Sequence, residues 1–104
     1  MFSLFHRIPS ISTTELTAQI KRRPTLLDVR TATEYRSGHI AIATNWPLAK
    51  INQYKRQTSE PIYLICQSGR RSKQAAKILR TNGYQVINVR GGMNSWTGPI
   101  RSGK

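Results

Sequence analysis

Four consecutive apolar residues, Ile62-Tyr63-Leu64-Ile65, run from Pro61 to Cys66 and are followed at once by a polar break, Gln67-Ser68-Gly69-Arg70-Arg71. An unbroken apolar run of this length predicts a strand buried on both faces, as in a parallel sheet. Pro61 stands at its first position, where a missing N–H is tolerated. A strand covered on both sides, in a chain that alternates such runs with helical patterns, points to an α/β architecture.

The rest of the sequence fits that frame. Ser12-Thr13-Thr14-Glu15 resembles a capping box, with Leu16 and Ile20 following at helical spacing, so a helix over about 13–22 is expected, ended by Pro24. Thr25 to Val29 reads as a buried strand. Thr33 to Gly38 reads as a helical turn stopped by glycine. Ile42 to Trp46 is a second strand candidate closed by Pro47, and residues 48–56 read as a short helix. After the break at 67–71, Ala75, Ile78 and Leu79 give an apolar face to a helix over about 72–82, with Gly83 as its stop. Gln85 to Val89 is a last strand, and Gly91-Gly92 begins a short turn to Trp96. Alternation of this kind predicts a central, mostly parallel sheet of four to five strands flanked by helices on both faces.

Open parallel sheets bind ligands beyond the C-terminal ends of their strands. Cys66, Asp28 to Arg30, and Val89 to Gly92 all lie at such ends and are expected to meet at one rim. Cys66 ends a strand, and the loop after it opens a helix. Main-chain N–H groups of such a loop and the helix dipole both favour a thiolate. Gly69 permits the backbone geometry of a tight cradle. Arg70, Arg71 and Lys73 fall in or beside the first helical turn. Cations there oppose the macrodipole at about 0.3–1 kcal/mol each when exposed. Folding alone would choose acids, and an anion held between these groups would reverse the repulsion.

The charge balance agrees with an anionic partner without choosing it. Seventeen Lys and Arg stand against four Asp and Glu, a formal net charge of +13. Such a surplus attracts nucleic acid, an acidic protein or a small anion alike, and the basic residues are spread along the chain. Length fits one domain over 1–104 with a core at about 8–98. The single cysteine excludes an internal disulfide and a Cys-rich metal site. The start, Met1-Phe2-Ser3-Leu4-Phe5-His6-Arg7-Ile8, is too short and too broken for a signal peptide, and no stretch approaches a membrane span. A soluble cytoplasmic protein with a reduced cysteine is expected.

Asp28-Val29-Arg30, Glu34-Tyr35, Gly38-His39-Ile40, Ala43, Asn45 and Pro47 resemble the first half of a rhodanese domain. Cys66-x-x-Gly69-x-Arg71-Ser72, then Ala75, Leu79, Gly83, Gly91-Gly92-Met93 and Trp96, resemble the second half. The resemblance spans roughly Ile8 to Gly98 and implies a rhodanese-like fold and sulfurtransferase activity. It implies that Cys66 takes sulfur from thiosulfate or a similar small anionic donor and becomes a persulfide. Amides of Gln67, Ser68, Gly69, Arg70 and Arg71 would hold the outer sulfur. Arg71 would help bind the anion, Arg70 would assist, and an external thiol or cyanide would remove the sulfur. No metal or organic cofactor is implied. The four residues between Cys66 and Arg71 make a loop one residue shorter than that of phosphatases of similar fold, which favours sulfur over phosphate. Ile42 stands where the family often has Gly.

Two other readings stay open: a binding module or sulfur carrier for an acidic protein or RNA that keeps the fold without turnover, and a phosphatase. Asp28 and Arg30 are expected to support the site. Asp28 would order the strand-end loops or act as an acid. Arg30 would pair with Asp28 or Glu34, or touch substrate. His39 reads as structural, with a base for Cys66 as the alternative. His6 reads as solvated, and Trp46 and Trp96 as packing. Gly92 and Met93 are candidate pocket residues.

Overall fold

The computed structural model describes residues 7–104. The readings of the N-terminal stretch, His6 included, lie outside the described residues. Five strands, β1 (Ser10–Ile11), β2 (Thr25–Asp28), β3 (Thr44–Asn45), β4 (Ile62–Ile65) and β5 (Val86–Val89), form one sheet in the order β1-β5-β4-β2-β3. Every neighbouring pair is parallel. Four helices accompany them: α1 (Thr13–Gln19), α2 (Ala32–Ser37), α3 (Arg70–Thr81) and α4 (Gly92–Ser95).

Side-chain parity along the central strands divides the core in two. Ile62, Leu64 and Cys66 of the β4 segment join Leu27 and Val29 on one face, beneath Ala75, Ala76 and Leu79 of α3. Ile65 points the other way, with Leu26 and Val89, onto Leu16 of α1. This is why the β4 run carries no polar alternation: both of its faces are covered. Each fully buried Leu or Ile contributes about 1.5–3 kcal/mol of hydrophobic free energy.

The helix starts follow local chemistry. The Ser12 side chain accepts from Glu15 N, and Glu15 Oε1 accepts from Ser12 N, the capping box read from the sequence. A second box, Thr31 with Glu34, opens α2. Beyond α1 the chain tightens into a 3-10 turn, Ile20–Arg22, and Arg23 turns left-handed before Pro24.

Several boundaries differ from expectation. The strand expected over 42–46 is only Thr44–Asn45, because Ala43 N–H closes a turn onto Ile40 O and only β2 is available as a partner. Residues 48–56 form a 3-10 segment, Leu48–Gln53, whose Lys50 N–H reaches Pro47 O. The helix expected from residue 72 begins at Arg70, since Lys73 N–H already bonds Gly69 O. β1 was not expected; two residues after Pro9 are too few to show a period, and pairing with β5 makes it a strand. The turn expected after Gly91 is the short helix α4. Among the described residues no helix is long and apolar enough to cross a membrane.

Candidate active site

The three strand ends meet as the parallel topology requires. Asp28 and Ile65 lie side by side in the β2–β4 register. Arg30 Nη1 reaches Gln67 Oε1 at 3.2 Å. Met93 N–H, just past β5, donates to Cys66 O at 2.8 Å.

Cys66 is 1% exposed and joins the apolar cluster on its strand side. On its loop side it meets donors. Gly69 N–H lies 3.0 Å from Sγ, and Ser72 Oγ lies 3.3 Å from it. The orientation of the loop has a visible cause. Cys66 O and Gln67 O are both tied to α4, by Met93 N–H at 2.8 Å and Asn94 N–H at 2.9 Å. In a trans peptide C=O and N–H point in opposite directions. Tying these carbonyls back therefore turns the next amides, of Gln67 and Ser68, away from α4. Gln67 Nε2 adds a bond to Asn94 Oδ1 at 2.6 Å. The approach is so close that a Cβ on Gly92 would stand 2.3 Å from Cys66 O and 2.8 Å from Gln67 O, and its φ is +55°. Gly69 caps α3 in the left-handed region, φ +103°, a conformation that glycine adopts without steric cost.

Burial pushes the Cys66 thiol up. The Ser72 hydroxyl and the main-chain N–H groups of Ser72, Gly69 and Ser68 pull it down, and the net direction is below the ordinary thiol value. Ser72 has one hydroxyl hydrogen and two claimants, because Asn88 Oδ1 lies 2.6 Å away. Asn88 Nδ2 in turn donates to Gly69 O, which fixes its Oδ1 toward Ser72. A thiolate draws that hydrogen more strongly, as charge-assisted bonds exceed neutral ones. Ser72→Ala is expected to raise the Cys66 pKa and to slow alkylation of Cys66 at neutral pH about tenfold, the worth of one bond to a charged group. The pH dependence of thiolate ultraviolet absorbance and of alkylation checks this; an unchanged profile contradicts it.

The loop cations divide. Arg70 is exposed. Arg71, expected on the anion, is engaged with Glu34: Nη1 to Oε1 at 2.7 Å and Nη2 to Oε2 at 2.9 Å. Glu34 thus caps α2 and holds Arg71 together. The Arg71 bond lowers the Glu34 carboxyl from 4.5 to about 2 despite opposition from burial. A carboxyl depressed in the folded state gives stability that is complete above its unfolded value near 4.5 and is lost as pH falls toward 2. Both side chains are 34% exposed, so solvent screening limits the pair to about 1 kcal/mol. Glu34→Gln is expected to cost that much at neutral pH and nothing in strong acid, read by urea unfolding across the range.

Asp28 and Arg30 form a buried pair, with side chains 0% and 4% exposed. Arg30 Nη2 reaches Asp28 Oδ2 at 2.7 Å and Gly38 O at 2.8 Å, and its Nε faces both carboxylate oxygens. Its guanidinium is committed to the frame that joins β2, α2 and Gln67. Asn45 Nδ2 ties the carbonyls of Asp28 and Arg30 from β3. His39 Nδ1 donates to Tyr35 O at 2.7 Å and its ring stacks on Tyr35 at 3.6 Å. Trp46 and Trp96 donate to Lys50 O and Pro99 O and pack at the two clusters. Met93 packs on the second cluster. Asn88 was not singled out in the sequence; the signal was a polar residue inside the apolar strand Val86–Val89.

The model of the rhodanese-like domain matches residues 12–99. The uncharacterized protein YqhL of Bacillus subtilis is 42% identical over 86 residues, covering 80% of this chain and 68% of that protein. A protein of Allochromatium vinosum named sulfurtransferase is 36% identical over 74 residues, covering 68% and 69%. A rhodanese-like domain protein from Staphylococcus aureus, solved by crystallography, superposes with a TM-score of 0.81 at 30% identity, over 92% of this chain and 99% of that one.

Proposed function

The chain belongs to the rhodanese-like domain family, and from that premise we propose that it moves sulfane sulfur through a persulfide on Cys66. Relatives named as sulfurtransferases support a sulfur-transfer role. The donor is thiosulfate or a similar small anion, and the acceptor is an external thiol or cyanide.

In the first half-reaction the Cys66 thiolate attacks the outer sulfur of thiosulfate. A Cys66 Sγ–S bond forms, the S–S bond of thiosulfate breaks, and its electron pair leaves with sulfite. In the second, an acceptor thiolate or cyanide attacks the same outer sulfur, and the electron pair returns to Cys66 Sγ. This is covalent catalysis with two alternating enzyme forms. The observation that carries the proposal is the inward Gly69 N–H, 3.0 Å from Sγ, in a loop whose carbonyls are tied back to α4. Such fixed donors hold negative charge on sulfur without reorganisation during reaction. The exposed Arg70 borders the loop and favours approach of an anion.

Intact-mass measurement after incubation with thiosulfate tests the reading. One added sulfur atom per chain, with an equivalent of sulfite released, is expected. An unchanged mass with every sulfane donor tried would defeat it.

A further inference from the structure

The four acidic side chains of this protein are Glu15, Asp28, Glu34 and Glu60. Arginines hold the first three, through Arg90, Arg30 and Arg71. The outer face of α3 has no such partner. Arg70, Lys73 and Lys77 recur at i, i+3 and i+7, so they share one side of the helix over about 10 Å. All three are exposed, and among the described residues none has an ion pair. They line, with Ser68, Arg71 and Gln74, a groove of about 600 Å³.

Two features fix what the groove faces. Ser68 of the Cys66 loop and Arg71 of the first turn of α3 form its wall, so the groove adjoins the loop that follows the sulfur-bearing residue. The chain has one cysteine, so the thiol that unloads Cys66 comes from another molecule. Among the described residues no aromatic side chain lines the groove. A surface for single-stranded nucleic acid combines cations with stacking platforms, and this one has cations alone. Carboxylates need only the cations.

We propose that the groove along Arg70, Lys73 and Lys77 docks an acidic segment of a protein acceptor and thereby presents its thiol to the Cys66 persulfide. The proposal rests on the sulfur-transfer reading above. The acceptor thiolate attacks the outer sulfur and forms a new S–S bond. The Cys66 Sγ–S bond breaks, Cys66 leaves as thiolate, and the proton on the outer sulfur stays with it. Negative charge beside the acceptor cysteine meets the three cations, and no acid of this chain competes for them.

The test starts from preformed persulfide and follows transfer to three synthetic peptides, each a cysteine flanked by Glu, by Gln or by Lys. At low salt the Glu peptide is expected to react about tenfold faster than the Gln peptide, and the Lys peptide slowest, as steering predicts. High salt is expected to erase the ranking. The double variant Lys73→Glu/Lys77→Glu is expected to flatten it too; both side chains are exposed and Glu is a good helix former, so the fold is retained. Equal rates for the three peptides, or a ranking that the double variant leaves intact, overturn the proposal. Anisotropy of a dye-labelled Glu peptide on Cys66→Ser protein reads the surface without the chemistry. Salt-sensitive binding there supports the docking surface even if no persulfide forms, which would instead sink the sulfur-transfer reading. Absence of binding overturns the surface, and so does displacement of the peptide by an oligoribonucleotide at far lower concentration than by unlabelled peptide.

Discussion

Asp28→Ala is expected to lower the unfolding free energy by about 3–5 kcal/mol, the cost of leaving a buried charge without its partner. Asp28 is 0% exposed, and its two oxygens take four hydrogen bonds from Arg30. Removing the carboxylate leaves a guanidinium that cannot lose its proton and is 3% exposed. Gly38 O and Gln67 Oε1 remain as its acceptors, and neither carries charge. A domain of this size has about 5–15 kcal/mol in total, so the melting temperature is expected to fall on the order of 15 °C or more. Arg30→Met in the Asp28→Ala background removes the stranded charge and is expected to recover much of the loss. Chemical unfolding of the single and double variants decides. A single-variant loss below about 1 kcal/mol would show that water reaches the pair and that the frame does not depend on it.

Cys66→Ser is expected to reduce thiosulfate-dependent thiocyanate formation by on the order of 10⁴-fold or more, as loss of a covalent nucleophile does elsewhere. The hydroxyl is not ionised at neutral pH, and the chain has no second cysteine to replace the first. The fold is expected to survive. Gly69 N–H and Ser72 Oγ remain as partners for the smaller oxygen, so the stability change should stay within about 1.5 kcal/mol. Colorimetric thiocyanate assay together with thermal unfolding separates the two effects. Turnover by a folded Cys66→Ser protein would place the chemistry elsewhere.

These outcomes differ because the two residues do different work at one rim. Asp28 holds Arg30, and Arg30 holds Gly38 and Gln67 in place. Cys66 is held by the same frame but faces inward donors. The arrangement explains why a loop rich in cations is compatible with a stable helix start. Glu34 neutralises Arg71, and Gly69, not an acidic cap, begins α3. Arg70 is left to solvent.

The sequence by itself determined what depends on near neighbours. The α/β class, the buried β4 strand, the capping box at Ser12 and the cysteine-to-helix loop all rest on spacings of a few residues, and a period or a cap needs nothing more. Only the tertiary structure decided who partners whom at the rim. Arg71 and Glu34 are 37 residues apart, and no local pattern pairs them. Asn88 reached Ser72 across 16 residues only because β5 lies beside β4. The α4 amides that turn the Cys66 loop inward are a third case, read in the sequence as a turn. Parallel strands bring their ends together through long crossovers, so the contacts that orient the thiol are set by the sheet order and not by the residues adjoining it.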